Sequence, residues 1–287
     1  MNITTALKEA VTALESRAFT NPRLDAEVLL SFCLKKDRTS LFTHPEKQLT
    51  EKDLEEFRRL VEMRKLGEPV AYIIGKKEFW SLSFEVNKHV LIPRPETEIL
   101  VEEVLKVCSR EGERSPRILE IGTGSGAISV ALAYELKNAN IVATDSSPEA
   151  VAIGSRNAEI NDVVNNISFL ISNLFELVAG KFDIIVSNPP YISKEEYDQL
   201  PVGVRGFEPE SALLAGVEGT EIHREIMRVG ASFLKEGGWL LMEIGASQKN
   251  RVENMLKESH LYDNITFRSD YTGIDRVAIA RRVLTGG

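Results

Sequence analysis

Cysteine is nearly absent from this chain: Cys33 and Cys108 are the only two among 287 residues. So sparse a supply excludes a disulfide-stapled secreted scaffold and predicts reduced, packed thiols in a cytoplasmic protein. Long apolar runs are missing as well. No stretch approaches the roughly 20 residues needed to span a bilayer. Met1-Asn2-Ile3-Thr4-Thr5 has no basic segment leading into an apolar one, so no signal peptide is read there. Histidine is scarce, and His44, His89, His223 and His260 stand far apart without ligand spacing or an acid cluster. That pattern predicts no metal. Positive charge is in deficit, with 35 Lys and Arg against 43 Asp and Glu and a net charge of −8. A protein gripping nucleic acid usually presents a basic face, so the balance points to protein or small-molecule partners. Neither repeats nor low-complexity tracts occur. The remaining composition, 43% hydrophobic and 27% charged, is that of an ordinary soluble globular protein of one large or two smaller domains.

Residues 1 to about 66 read as helices. Ile3, Leu7, Val11 and Leu14 share one helical face, and Leu24, Val28, Leu29 and Phe32 share another after Asn21-Pro22. Thr50-Glu51-Lys52-Asp53 has the form of a capping box ahead of Leu54, Phe57, Leu60 and Val61. The basic residues of this region, Lys35, Lys36, Arg38, Arg58, Arg59, Arg64 and Lys65, read as a solvated face, with partner docking as the other possibility. Residues 78–86 alternate apolar and polar, which predicts short strands in a hairpin. A helix is expected from about Glu96 to Cys108, followed by a polar loop over 109–116.

From Arg117 onward strands and helices alternate. Strands are predicted at 117–121, 141–144, 167–170, 182–187 and 239–244, with a final pair around Asp270-Tyr271-Thr272-Gly273. Helices between strands imply right-handed crossovers and a mainly parallel sheet covered on both faces, with an antiparallel edge from the closing pair. Residues 192–219 read as a long, partly irregular loop.

Three sequence features meet at the carboxyl edge of that sheet. The loop Gly122-Thr123-Gly124-Ser125-Gly126 follows the first strand, and such loops let a backbone approach a nucleoside-containing ligand closely. Asp145 ends the second strand, where a carboxylate can accept from both ribose hydroxyls; capping of the helix opening at Pro148 is its alternative task. Asn173, past the third strand, is within reach of an adenine ring or is a turn residue. Asn188-Pro189-Pro190-Tyr191 follows the fourth strand. Two prolines stiffen an arc of acceptors with an aromatic ring beside it, which suits a planar –NH2 group. The same tetrapeptide taken alone is also compatible with a plain turn.

Together, Leu119-Glu120-Ile121-Gly122-Thr123-Gly124-Ser125-Gly126 and Asn188-Pro189-Pro190-Tyr191 resemble the S-adenosylmethionine-dependent methyltransferases that act on planar nitrogens. Glu120 stands where many of these carry Asp. Arg23-Leu24-Asp25-Ala26-Glu27, Glu68-Pro69-Val70-Ala71-Tyr72-Ile73, Leu91-Ile92-Pro93-Arg94-Pro95-Glu96-Thr97-Glu98, Phe207-Glu208-Pro209 and Asp270-Tyr271-Thr272-Gly273-Ile274-Asp275-Arg276 are similar to the release factor glutamine methyltransferases of the HemK/PrmC type. The resemblance implies a Rossmann-like, seven-stranded, mostly parallel α/β sheet with a small N-terminal helical domain. Residues 1–72 would be a helical bundle that docks release factors, 73–94 a hairpin linker and 95–287 the methyltransferase domain. The cofactor would be S-adenosylmethionine, with S-adenosylhomocysteine as product. The substrate would be the glutamine of the Gly-Gly-Gln motif of peptide chain release factors, and the default state is a monomer. Gly122, Thr123, Gly124, Ser125, Gly126, Asp145, Asn173 and Asn188 would bind the cofactor. Asn188, Pro189, Pro190 and Tyr191 would line the glutamine pocket, with Asn188, Pro189 and Tyr191 carrying the catalysis.

Three other readings use the same residues. A nucleic-acid methyltransferase acting on an adenine amino group also needs a planar –NH2 site, but it needs a base-extruding, basic surface too. A dehydrogenase using the glycine loop for NAD leaves the Asn-Pro-Pro-Tyr stretch without a task. A non-catalytic adaptor would keep the fold without turnover.

Overall fold

The computed structural model describes residues 1–15, 21–112 and 115–284, apart from the Val202 side chain; Glu113 and Arg114 of the expected polar loop lie outside these residues. The chain divides into two compact units, residues 1–76 with 201–207, and residues 77–200 with 208–287.

The first unit is helical: α1 (Ile3–Glu15), α2 (Pro22–Leu34), α3 (Arg38–Thr43), α4 (Glu51–Lys65) and α5 (Val70–Ile74). Its caps follow the local sequence. Asn21 accepts from the Leu24 N–H with Pro22 in the first helical turn, and Asp37 accepts from Ser40 N. Thr50 and Asp53 satisfy each other's backbone N–H groups in a full capping box.

α1 packs the face the sequence marks: Ile3 and Leu14 are buried, Leu7 and Val11 pack partly covered against the same core, and Ala6 and Ala10 join them. The face of α2 differs from the sequence reading. α2 buries Ala26, Leu29 and Leu30, while Leu24 and Phe32 are 36% and 43% exposed. Alanines on the packed faces let helices approach closely, a signal that a search for large apolar residues misses. α2 also buries an acid: Glu27 accepts from Arg23 Nε at 2.9 Å and Arg38 Nη2 at 2.6 Å. Arg64 Nε binds Asp25 at 2.7 Å. Arg58, Arg59 and Lys65 pair with Glu9, Glu56 and Glu62.

The hairpin β1 (Lys76–Phe79) and β2 (Leu82–Glu85) follows, all but Lys76 within the second unit. Its two-residue turn places both Trp80 and Ser81 at positive φ, 54° and 56°, the hand that matches strand twist. Next come α6 (Glu98–Glu111), β3 (Arg117–Ile121), α7 (Ala127–Glu135), β4 (Asn140–Asp145), α8 (Pro148–Ile160), β5 (Ile167–Ile171) and β6 (Phe182–Ser187). The segment expected to be irregular carries β7 (Ile192–Ser193), α9 (Lys194–Asp198), α10 (Val202–Arg205, within the first unit) and β8 (Leu214–Gly216). A capping box of Ser193 and Glu196 starts α9. The chain then forms α11 (Glu221–Phe233), β9 (Leu234–Glu243), α12 (Lys249–Ser259), β10 (Tyr262–Ser269) and β11 (Asp275–Arg282).

Seven strands form one sheet in the order β10-β11-β9-β6-β3-β4-β5. The pairs from β9 to β5 are parallel, and β11 runs antiparallel to both neighbours. This is the mostly parallel α/β sheet with an antiparallel edge that the sequence predicts. From β3 the chain winds outward through β4 to β5, then returns to the other side of β3 as β6. The crevice beyond the carboxyl ends of β3 and β6 is thus a topological switch point, where such sheets hold ligands. Fully buried Leu119, Ile185, Leu240, Leu241 and Met242 fix the sheet from within.

Asn157 on α8 is fully buried and ties three segments together. Its Oδ1 accepts from Glu85 N at 2.7 Å, and its Nδ2 donates to Glu85 O at 2.9 Å and Ser125 O at 2.8 Å. Asn157→Ala strands backbone groups of both the hairpin and the glycine loop. It is expected to lower stability by about 2–4 kcal/mol, read from the urea midpoint. An unchanged midpoint would contradict this role.

Candidate functional site

The cavity at the switch point is built from four loop ends. Gly122, Thr123, Gly124 and Ser125 come from the end of β3, Asp145 and Ser147 from the end of β4, Asn173 and Leu174 from the end of β5, and Asn188, Pro189 and Pro190 from the end of β6. His89, Leu91, Pro93, Arg94 and Thr97 close it from the segment before α6. Of the residues expected from sequence, Gly126 and Tyr191 are not in its wall.

The glycine loop leaves β3 by a sharp reversal in which Thr144 O accepts from Gly122 N and Thr123 N, both at 2.8 Å. Gly124 has φ 53°, and an added Cβ there would meet nothing within 4 Å, so conformation rather than space demands glycine. Gly126 has another reason. A Cβ there would sit 3.0 Å from Gly154 Cα, so this glycine lets α7 pack on α8.

Glu120 lies at the base of the loop, buried and lining the cavity. Its Oε2 takes Thr123 Oγ1 at 2.7 Å, Ser129 N at 3.2 Å and a very short bond from Ser129 Oγ. Its Oε1 is buried with no partner. Burial pushes the carboxyl up to about 7, against the pull of the Ser129 and Thr123 bonds. A buried acid with one unmatched oxygen on a cavity wall is suited to a cationic donor.

Asp145 does not cap α8. That task falls to Ser147, whose Oγ accepts from Ala150 N at 3.1 Å. Asp145 instead spans two loops, Oδ2 accepting from Gly124 N and Oδ1 from Ser147 N, each at 2.9 Å. Asn173 is exposed at the rim, with Nδ2 donating to Glu176 Oε1 at 2.8 Å.

On the other wall, Ser187 Oγ donates to Ile121 O at 2.7 Å and ties the ends of β6 and β3 together. Asn188 Nδ2 donates to Thr97 Oγ1 at 3.1 Å. Thr97 Oγ1 in turn donates to Glu243 Oε2 at 2.7 Å. Tyr191 stands behind the wall, with its hydroxyl 3.5 Å from Glu243 Oε1 and its carbonyl accepting from Gln248 Nε2 at 2.7 Å. Burial pushes the Glu243 carboxyl up to about 7, while the Thr97 bond and the charge of Arg276 favour its ionised form. Glu208, also buried, accepts from Arg94 Nη2 at 2.5 Å and Ile92 N at 3.2 Å, which fixes the Pro93 side of the cavity.

Thr97, Glu208 and Glu243 gained no role from sequence reasoning. Thr97 and Glu208 lie inside runs noted for their resemblance, but Glu243 is only one residue of the apolar strand predicted at 239–244. Nothing in the spacing links residues 91 and 146 positions apart. Among the described residues no group of three His, Cys, Asp or Glu is placed to hold a metal ion, and no helix is long and apolar enough to cross a membrane.

Residues 5–75 match the model of the PrmC N-terminal domain, and residues 95–203 that of the methyltransferase small domain. The chain is 40% identical over 286 residues to the release factor glutamine methyltransferase of Aliivibrio fischeri, covering 99% of each. It is 41% identical over 283 residues to the protein of that name from Buchnera aphidicola, covering 98% of this chain and 99% of that one. Among solved structures, the fold resembles that of the T. thermophilus 16S rRNA N2 G1207 methyltransferase, solved with AdoMet and guanosine. That likeness has a TM-score of 0.52 at 19% identity, over 72% of this chain and 49% of the other.

The two raised carboxyls, Glu120 and Glu243, set a pH dependence of stability. Each ordinarily titrates near 4.5 and in the fold near 7, so between these values the folded chain holds more protons than the unfolded one. Their contribution is complete below pH 4.5 and is lost as pH rises through about 7. Glu120→Gln is expected to flatten this decline in urea midpoints measured from pH 4.5 to pH 8. A decline of the same slope in the variant would contradict the assignment.

Proposed function

The chain belongs to the release factor glutamine methyltransferase family, and from that premise we propose that it methylates the side-chain amide nitrogen of a glutamine. The methyl donor in this reading is S-adenosylmethionine, and the target is the glutamine of the Gly-Gly-Gln motif of peptide chain release factors. The observation that carries the proposal is the placement of Asn188 at the switch point. Its Nδ2 is engaged with Thr97, so Oδ1 is the amide atom available to a ligand N–H.

The residues at the β3 and β4 ends suit the donor. The glycine loop admits its nucleoside part, Asp145 would hold the ribose hydroxyls, and the unpartnered Glu120 oxygen would meet its cationic amino group. Asn173 stands on the adenine side. When bound, S-adenosylmethionine supplies an electrophilic methyl on a sulfonium and leaves as S-adenosylhomocysteine.

The remaining task is to improve a poor nucleophile. An amide lone pair is delocalised into its carbonyl. Asn188 Oδ1 and the Pro189 carbonyl accept the two N–H groups, favour a pyramidal nitrogen and direct its lone pair at the methyl group. Alignment of this kind supplies several kcal/mol, up to about 7–11 in well-oriented systems. Positive charge grows on the nitrogen as the bond forms, fixed acceptor dipoles stabilise it without reorganising, and one of the two N–H protons is then lost to water to leave the neutral N-methyl amide. Pro190 shapes the same wall, and Tyr191 completes the rigid tetrapeptide. In this reading residues 1–72 dock the release factor, 73–94 link the domains, and 95–287 carry the reaction in a monomeric, cytoplasmic enzyme without a stable nucleic-acid or membrane partner.

Purified release factor is expected to gain label from methyl-labelled S-adenosylmethionine, and release factor with its Gly-Gly-Gln glutamine replaced is expected to gain none. Transfer to DNA or RNA, with neither release factor labelled, would overturn the proposal in favour of an adenine amino target.

A further inference from the structure

A carboxamide has two ends of opposite hydrogen-bonding character, and a half-turn about its last bond exchanges them. An Asn188 that met an incoming –NH2 group with its own Nδ2 would set donor against donor. The reading of Asn188 as an acceptor therefore requires something to hold the amide one way round.

The wall behind Asn188 holds that information. Thr97 is 4% exposed and Glu243 2% exposed, so neither can exchange its partner for bulk water. The Thr97 hydroxyl has a single hydrogen. At 2.7 Å from Glu243 Oε2, that hydrogen is directed to a carboxylate, which when ionised can only accept. Thr97 Oγ1 then offers lone pairs alone to its other neighbour, 3.1 Å away on Asn188. Only the Nδ2 end of the amide can answer.

From this geometry we propose that Thr97 and Glu243 act as a positioning relay. Glu243 fixes the direction of the Thr97 hydroxyl, Thr97 fixes the orientation of the Asn188 carboxamide, and Oδ1 is thereby presented to the nitrogen to be methylated. The same carboxylate stands 3.5 Å from the Tyr191 hydroxyl through its other oxygen, so it backs both ends of the tetrapeptide. Its own frame is also fixed, since Glu243 O lies 2.8 Å from the Nε2 of buried His223. Neither Thr97 nor Glu243 touches the reacting atoms in this scheme. The relay rests on the proposed amide chemistry for its purpose but not for its existence.

The test separates the two. In full-length protein labelled with 15N-asparagine, the Asn188 side-chain pair is identified by its loss in Asn188→Ala. Spectra are recorded at pH 8, where the Glu243 carboxyl, raised to about 7, is ionised. In Thr97→Val and Glu243→Leu the Asn188 NH2 hydrogens are expected to exchange roughly 10-fold faster, the scale of one lost hydrogen bond. Thr97→Ser and Glu243→Gln, which keep the donor and the acceptor, are expected to restore slow exchange. In release factor methylation, Thr97→Val is expected to lower kcat roughly 10–100-fold with cofactor affinity within about 2-fold, and Thr97→Ser to recover most of it. Unchanged exchange in Thr97→Val would overturn the relay whatever the substrate. Equal impairment of Thr97→Val and Thr97→Ser would overturn it in favour of plain packing. Altered exchange in a protein that methylates no release factor would leave the relay standing and remove the proposed substrate instead.

Discussion

The buried carboxylate of Glu243 is the fixed point on which the Asn188 wall depends. Removing a carboxylate from water is costly, and the fold offsets that cost with the Thr97 hydroxyl and the charge of Arg276. A group held under such terms has few alternative arrangements. Its partners inherit that restriction, and through Thr97 it reaches Asn188, the side chain proposed to meet a substrate amide. The rigidity of Asn188-Pro189-Pro190-Tyr191 therefore has two sources. The prolines restrict the backbone, and Glu243 restricts the side chains at either end.

The opposite wall repeats the device. Glu120 is as deeply buried as Glu243 and has its pKa raised to the same region, but one of its oxygens is unmatched. An acid satisfied on all sides serves as a strut, whereas an acid satisfied on one side serves as a receptor. In the proposed reading the cavity pairs a receptor for positive charge, beside the glycine loop and Asp145, with a braced row of acceptors. The sheet makes this pairing possible. β3 and β6 are parallel neighbours that the chain reaches by winding in opposite directions, so their two following loops face one crevice.

Much of this was legible in the sequence wherever the signal was local. The short, β-branched runs at 117–121 and 182–187 became β3 and β6, and the loops after them became two walls of the cavity. The capping box at Thr50 and the N-cap at Asn21 formed as the residues dictate. The inward face of α1 was legible from its large apolar residues, but that of α2 was not, because packing on Ala26 and the pairing of buried Glu27 with Arg23 and Arg38 outweigh the larger apolar side chains. Asp145 presented two local tasks, ribose binding and helix capping, and the fold assigns the cap to Ser147. Thr97, Glu243 and Asn157 could not be found from spacing, since each acts on segments far away in the chain.

The measurement that bears most directly on this division of labour compares S-adenosylmethionine affinity with the single-turnover methylation rate in Asn188→Ala. If the glycine loop, Glu120 and Asp145 hold the donor while Asn188 orients the nitrogen, the rate falls roughly 100-fold or more and the Kd moves only a few-fold. Equal losses in rate and affinity would place Asn188 among the donor-holding residues and contradict its role in orienting the substrate.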